Sequence, residues 1–93
     1  MNWKVKQSRR FARAYKKLNN QVANDVNKAV LNISQNPSIG QEKKGDLAAL
    51  NVYKFHSQNQ QYLLGYTLEE TPKLIYLEPV GPHENFYQKL KRN

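Results

Sequence analysis

A chain of 93 residues has room for one domain, residues 1–93, and contains no apolar run near the roughly 20 residues that span a membrane. Cysteine is absent, which excludes a disulfide scaffold, a thiolate zinc site and a cysteine nucleophile, and fits a protein of the reducing cytoplasm. Fifteen lysines and arginines against seven acidic residues give a formal net charge of +8, which favours a nucleic acid or ribosomal partner over a merely solvated basic surface.

The N-terminal third predicts a short strand followed by two amphipathic helices. Residues 3–6 alternate apolar and basic side chains, the period of two that indicates a half-buried strand. Ser8 is predicted as an N-cap, and the helix after it carries an apolar stripe formed by Phe11, Ala14, Tyr15 and Leu18. Asn19-Asn20 separates this helix from a second one, which ends before Pro37 and carries Val22, Val26, Ala29, Val30 and Ile33. Helices joined by so short a link are expected to pair antiparallel.

The middle of the chain predicts a three-stranded antiparallel meander. Residues 37–45 are rich in turn formers and are predicted as a loop. Segments 51–56, 61–67 and 73–80 are rich in strand formers and are separated by polar turns. In the first segment, Val52, Lys54 and His56 are expected on one face, with Tyr53 and Phe55 on the other.

The last stretch, Gly-Pro-His-Glu-Asn-Phe-Tyr at residues 81–87, predicts a short C-terminal helix that opens at Pro82. His83 and Tyr87 are four residues apart and therefore share one helix face. An imidazole beside a phenol suits phosphate binding or proton transfer. The alternative is a helix that simply packs on the sheet, with Phe86 inside and Tyr87 nearer the surface. The full order of elements predicts an α+β fold, in which an N-terminal strand and a helical hairpin pack with a small twisted antiparallel sheet.

Basic and aromatic side chains are the remaining candidates for chemistry. No metal-ligand spacing and no glycine-rich phosphate loop is evident, so neither a metal nor a cofactor is expected. Cleavage of RNA without a metal needs a base, an acid and cations that stabilise the charged phosphorane. Histidine suits the first two roles because its pKa is about 6.5, and lysine suits the third. The candidate catalytic residues are His83, His56 and Tyr87, and the candidate RNA-binding residues are Lys43, Lys44, Lys54 and Phe86.

Each candidate also has a purely structural interpretation. His83 alone fits a capping or packing residue, and His56 fits a surface histidine on a strand. Lys43 and Lys44 fit a solvated loop, and Phe86 fits a ring packed on the sheet. The candidates gain weight only as a set.

Over nearly its whole length the chain resembles the RelE/ParE superfamily of bacterial type II toxins. The resemblance rests on the Phe-x-x-x-Tyr-x-x-Leu helix at 11–18, on Asn36-Pro37 with Lys-Gly-Asp-Leu at 44–47, and on Tyr-Leu-Leu-Gly-Tyr at 62–66. Above all it rests on Val-Gly-Pro-His-Glu-Asn-Phe-Tyr at 80–87. The resemblance implies a helical hairpin on a twisted antiparallel sheet, and a cognate antitoxin as partner.

The superfamily divides by function. RelE-like and YafQ-like members cut mRNA in the ribosomal A site without metal, whereas ParE-like members inhibit DNA gyrase. The Gly-x-His-x-x-x-aromatic ending resembles YafQ and HigB, which implies catalysis by His83 and RNA contact by Tyr87. A strand histidine of that pattern aligns with His56, and its basic loop position aligns with Lys43 or Lys44. The acidic residue expected after the strand histidine is missing here, where the nearest positions are Gln60 and Gln61.

Three hypotheses follow from the resemblance. The first is a ribosome-dependent mRNA endoribonuclease, with His83 and His56 as acid and base, Lys54 among the phosphate-stabilising cations and Tyr87 orienting the nucleotide. Its partners are the ribosome, mRNA and the antitoxin. The second is a gyrase inhibitor without catalysis. The third is a toxin fold that has lost activity and serves only in repression.

Overall fold

The fold places two helices against one face of a five-stranded sheet. The computed structural model describes residues 3–43, 49–83 and 86. No helix within those ranges is long and apolar enough to cross a membrane. A single 3₁₀ turn, Pro37–Ile39, follows the second helix. The elements are β1 (Lys4–Gln7), α1 (Arg9–Lys16), α2 (Asn20–Gln35), β2 (Gln41–Glu42), β3 (Asn51–Ser57), β4 (Gln60–Glu69) and β5 (Leu74–Pro82).

Each helix has a side-chain cap at its start, and the cap of α1 is the one predicted at Ser8. The Ser8 hydroxyl accepts a hydrogen bond of 3.0 Å from the Phe11 N–H, and the Asn19 side-chain oxygen accepts one of 2.9 Å from the Val22 N–H. Caps of this type are typically worth about 1 kcal/mol each. The predicted end of α2 before Pro37 is also confirmed.

The sheet has the strand order β1-β5-β4-β3-β2. The predicted antiparallel meander of β3, β4 and β5 is confirmed, and Gln58 and Asn59 form its first turn with positive φ angles, as tight hairpins require. The first strand joins the same sheet, but it pairs parallel to β5, so the sheet is mixed rather than wholly antiparallel. The strand is one residue later than predicted and exposed throughout, because it lies at the sheet edge.

The structure also differs from the sequence predictions in the two segments that flank the meander. Residues 37–45 contain the 3₁₀ turn and β2, whose two residues are too few to show a sequence period. Pro82 closes β5 instead of opening a helix, since it still pairs with Tyr62. His83 and Phe86 have helical backbone, and the other residues of the predicted terminal helix lie outside the described ranges.

Buried apolar side chains lie on both faces of the sheet. The face under α1 and α2, here the helix face, carries the larger core, with Phe11, Val22, Val26, Ala29, Ile33, Tyr62, Leu64, Tyr66, Ile75, Leu77 and Val80. The opposite face, here the open face, carries a small cluster of Leu50, Val52, Leu63 and Phe86. Alternation along β4 separates the two sets, because Leu63 and Leu64 are adjacent and point to opposite faces.

Tyr66 ties the turn after α2 to the helix face. Its hydroxyl donates to the Pro37 carbonyl at 2.6 Å and accepts from the Gly40 N–H at 2.9 Å. A Cβ atom at residue 40 would lie only 2.5 Å from the Tyr66 oxygen, so this close approach requires glycine. The tie holds the turn that leads directly into β2.

Candidate active site on the open face

The open face presents the strand candidates of the sequence analysis. Along β3, Val52 is buried, Lys54 and His56 are exposed, and Tyr53 and Phe55 pack against the core under the helices. The predicted division of these side chains between two faces is therefore confirmed. Lys54 pairs with Leu63 on β4, so the lysine lies directly beside the small apolar cluster of the open face.

Strand register brings His56 and His83 to the same end of the sheet. His56 pairs with Gln61 on β4, the next residue Tyr62 pairs with Pro82 on β5, and His83 follows Pro82 directly. Neighbouring strands are about 4.8 Å apart, so the backbones of the two histidines lie about 10 Å from each other across β4. Both side chains are exposed. We call His56, Gln61 and His83 the histidine row.

Lys54 lies on the same face of the sheet as the histidine row, two residues along β3 toward the middle of the sheet. Its partner Leu63 pairs in turn with Gly81 on β5, two residues before His83. Lys54 is on β3 itself, two residues before His56, so its cationic side chain lies on the same face of that strand as the imidazole, in the exposed part of the open face. Lys54, His56 and His83 are the predicted residues that the structure brings together.

Phe86 seats the segment after His83 on the open face. The ring is only 2% exposed and packs with Leu50, Val52 and Leu63. It fills the space left by Gly65, where a Cβ atom would be 3.2 Å from the ring. This burial supports the packing interpretation of Phe86, as expected from the sequence.

Lys43 lies away from the histidines. Its N–H donates to the Leu50 carbonyl at 2.8 Å, at the end of β3 opposite to His56. His56 is six residues further along the extended chain than Leu50, so their Cα atoms are about 20 Å apart. Lys44 and Tyr87, the other two predicted site residues, lie outside the described ranges.

A carboxylate that the sequence analysis did not single out also lies on the open face. The Glu78 Cβ is 3.6 Å from the position that a Cβ of Gly65 would occupy, on the side that faces Phe86. Burial raises the pKa of Glu78, and the positive charge of Arg10 partly opposes that shift. Alternation along β5 is the sequence pattern that predicts this position, since Leu77 belongs to the helix face.

The chemistry available at this site is acid–base catalysis next to a cation. Imidazole side chains are the usual proton acceptors and donors of catalytic sites, and a lysine side chain can stabilise negative charge that develops on a substrate. Within the described ranges no group of three or more His, Cys, Asp or Glu residues comes together in a way that could hold a metal ion.

Comparison with known proteins gives one family match and several structural neighbours. A family model described as ParE-like toxin of type II bacterial toxin-antitoxin system matches residues 5–91. No curated protein sequence shows significant similarity to the chain.

The structural neighbours are toxins named RelE or complexes that contain them. The toxin–antitoxin complex RelBE2 of Mycobacterium tuberculosis superposes with a TM-score of 0.79 at 16% identity, over 89% of this chain and 100% of that one. A free, doubly substituted Escherichia coli RelE gives 0.74 at 20% identity, over 99% and 98% of the chains. The archaeal RelE–RelB complex of Pyrococcus horikoshii gives 0.61 at 19% identity, over 88% and 96%. At these identities the likeness shows a shared fold.

Proposed function

This chain belongs to the ParE-like toxins of type II bacterial toxin–antitoxin systems, and we propose that within this group it is an mRNA endoribonuclease that acts on translating ribosomes without a metal. The observation that carries the proposal is the histidine row, in which His56 and His83 flank Gln61 at one end of the open face, with Lys54 two residues before His56 on β3. The RelE fold of the structural neighbours is consistent with it.

The proposed reaction is attack of a 2′-hydroxyl on the adjacent phosphate. One histidine of the row removes the 2′-hydroxyl proton, while the other donates a proton to the departing 5′-oxygen, so the products end in a 2′,3′-cyclic phosphate and a 5′-hydroxyl. The interval of about 10 Å between the two backbones is one that a phosphodiester and two imidazole side chains can bridge. Lys54 stabilises the negative charge that develops on the phosphate oxygens. Tyr87 remains the residue proposed to orient the nucleotide.

The proposal includes a cognate antitoxin and a cytoplasmic ribosome as partners. Four of the structural neighbours are complexes of a toxin with an antitoxin or an antitoxin peptide, and the family is defined by such systems. The net charge of +8 suits an acidic antitoxin segment as well as ribosomal RNA. Binding of either one to the open face would cover the histidine row.

A gyrase inhibitor without nuclease activity is the second candidate, because the matching family model is named for ParE-like toxins. Under that hypothesis the packing of Phe86 serves to present the terminal segment as a contact surface, and the two histidines have no catalytic role. A toxin fold without activity, retained for repression, is the third.

The test is primer extension on a reporter mRNA in a translating extract, with the purified chain added. We expect new 5′ ends that require translation, and a loss of cleavage rate of about 10²–10⁴ in His83→Ala, since this is the usual contribution of one acid or base. His56→Ala should lose activity in the same range. Lys54→Ala should also lower the cleavage rate, because it removes the cation proposed to stabilise the phosphate. Its control is Lys73→Ala, which removes an exposed lysine at the turn before β5 and should leave cleavage unchanged.

A supercoiling assay with DNA gyrase on the same preparations separates the two main hypotheses. Intact mRNA together with inhibited supercoiling would assign the chain to the gyrase inhibitors. Full cleavage by both histidine variants would remove the histidine row from the mechanism.

A further inference from the structure

A groove runs along α1 beside the last residues of β5. It has a volume of about 360 Å³, and its lining residues come from one side of the helix and from the strand segment that leads to His83. The lining residues are Arg10, Arg13, Ala14, Lys17 and Leu18 on the helix side, and residues 79–82 on the strand side. We call this feature the α1 groove.

The α1 groove exists because β1 is shorter than β5. Pairing between the two strands stops at Gln7 and Leu77, and the Ser8 N–H then donates to the Leu77 carbonyl at 3.0 Å as the chain turns into α1. Beyond Leu77 the edge of β5 therefore faces a helix instead of another strand. Ala14, Leu18 and Val80 provide the apolar part of the lining between the two walls.

The helix wall is basic along its whole length. Arg10, Arg13 and Lys17 recur at i, i+3 and i+7, which places the three cations on one stripe of about 10 Å. None of the lining residues is acidic, and none is aromatic. Arg10 also lies close enough to the half-buried Glu78 to oppose part of the rise in its pKa that burial causes, whereas Arg13 and Lys17 line the groove without such an effect being resolved on a neighbouring carboxylate.

We propose that the α1 groove binds the phosphodiester backbone of single-stranded RNA and leads the strand to His83, an inference that rests on the proposed nuclease function. The strand wall of the groove ends at Pro82, and His83 is the next residue of the chain, so the groove borders the end of the sheet at which the histidine row lies. A row of cations without aromatic side chains binds phosphates rather than bases, and such binding is independent of base sequence. The groove therefore contributes affinity and direction, and the histidine row contributes chemistry.

The same helix provides a charge-matched control. Arg13 and Lys17 line the groove, whereas Arg9 and Lys16 are exposed on α1 and do not line it. The double variants Arg13→Gln/Lys17→Gln and Arg9→Gln/Lys16→Gln each remove one arginine and one lysine from the helix. Both double variants lower the net charge by the same amount. A difference in RNA binding between them therefore reflects the groove residues and not the net charge of the protein.

The experiment measures binding of the full chain to a short 2′-O-methyl oligoribonucleotide by fluorescence anisotropy over a range of salt concentrations. This ligand lacks the 2′-hydroxyl nucleophile, so binding is measured separately from cleavage. Each phosphate contact on a single strand contributes about 0.7 to the slope of log K against log salt. We expect the slope of the groove variant to be shallower than wild type by about 1.4, and that of the control variant to change by less than half as much. Circular dichroism of both variants serves as the control for folding.

Each remaining outcome is informative. Equal losses in the two double variants, or an unchanged slope in the groove variant, would overturn the groove proposal. If the groove variant keeps its RNA affinity but loses binding to poly-glutamate, the groove is a site for an acidic protein segment, and the RNA proposal is also overturned. If the expected difference is found while the translating extract shows no cleavage, the nuclease proposal fails and the groove remains an RNA-binding site.

Discussion

The two faces of the sheet differ in how much apolar surface they bury, and the proposed chemistry lies on the face that buries less. The helix face is covered by α1 and α2 and carries the larger apolar core, including fully buried Val26, Ile33 and Leu64. Among the described residues, one ring, Phe86, covers the small cluster of the open face, and the side chains of Lys54 and His56 on that face are exposed. A small domain can expose catalytic groups on one side of a sheet because the opposite side supplies most of the buried apolar surface.

Leu63 and Leu64 allow the largest test of this comparison. They are adjacent in β4, both are fully buried, and they belong to the open and helix faces respectively. Replacing a buried leucine by alanine typically costs about 2–5 kcal/mol, depending on how well the site collapses. We expect Leu64→Ala near the upper end and Leu63→Ala near the lower end, measured as the free energy of unfolding in urea.

The same pair should separate stability from activity. Leu63 contacts the cluster that seats Phe86, so Leu63→Ala should reduce mRNA cleavage at temperatures where the variant is still folded. Leu64→Ala should reduce cleavage only in proportion to its unfolded fraction. Equal losses of stability, or an unaffected cleavage rate in folded Leu63→Ala, would show that the two faces do not differ in this way.

Local patterns predicted the elements and their faces, but not which elements become neighbours. The apolar spacing in α1 and α2, the Ser8 cap and the alternation along β3 are properties of short segments, and all of them are confirmed. The parallel pairing of β1 with β5 depends on contacts between the two ends of the chain, which no periodicity records. β2 follows a turn that is held by the hydroxyl of Tyr66, a residue more than 20 positions away in the sequence, and no local pattern records that contact.

The same limit applies to the candidate site. The sequence identified His56 and His83 as candidates by residue type, but their common row depends on the register of three strands. Register is set by turn geometry and by the bulge between Leu64 and Tyr66, neither of which follows from composition. Glu78 was missed because alternation alone does not distinguish a half-buried carboxylate from a solvated one.

Glu78 provides a smaller test, on the open face. Burial raises its pKa in the folded state above the unfolded value, so the ionised carboxylate costs stability at neutral pH, and this cost disappears as the pH falls through the folded and then the unfolded pKa. Glu78→Gln should therefore be more stable than wild type at neutral pH by at most about 0.5 kcal/mol, a small figure because the carboxylate is only half-buried and water screens its charge. Urea unfolding at neutral and acidic pH measures the difference.

Arg10→Gln is the companion to that variant. The Arg10 charge favours the ionised form of Glu78, so its removal should increase the cost of the carboxylate and enlarge the stabilisation seen on adding Glu78→Gln. A neutral-pH destabilisation by Glu78→Gln would mean that the carboxylate makes a favourable contact that outweighs its desolvation.

The smallest expected effect concerns the hydrogen bond that joins α2 to the end of β3, the strand that carries His56. The Ser57 hydroxyl, adjacent to His56, donates to Asp25 on α2 at 2.6 Å, and Gln21 donates to the same carboxylate at 3.3 Å. The Ser57 bond, the Gln21 bond and the charge of Lys28 lower the pKa of Asp25.

Because the folded pKa of Asp25 is below its unfolded value, its contribution to stability is present above the unfolded pKa and is lost as the pH falls through the folded pKa. Ser57→Ala should therefore raise the Asp25 pKa toward its ordinary value and lower stability slightly at neutral pH, with the difference from wild type shrinking in acid. Titration of the Asp25 carboxyl by NMR measures the shift directly. Ser38→Ala, whose hydroxyl contacts Asn36 instead, is the control and should leave that titration unchanged. An unchanged Asp25 titration in Ser57→Ala would mean that the end of β3 is held by other contacts, such as the 3.1 Å bond from Asn19 to Gln58 in the adjoining turn.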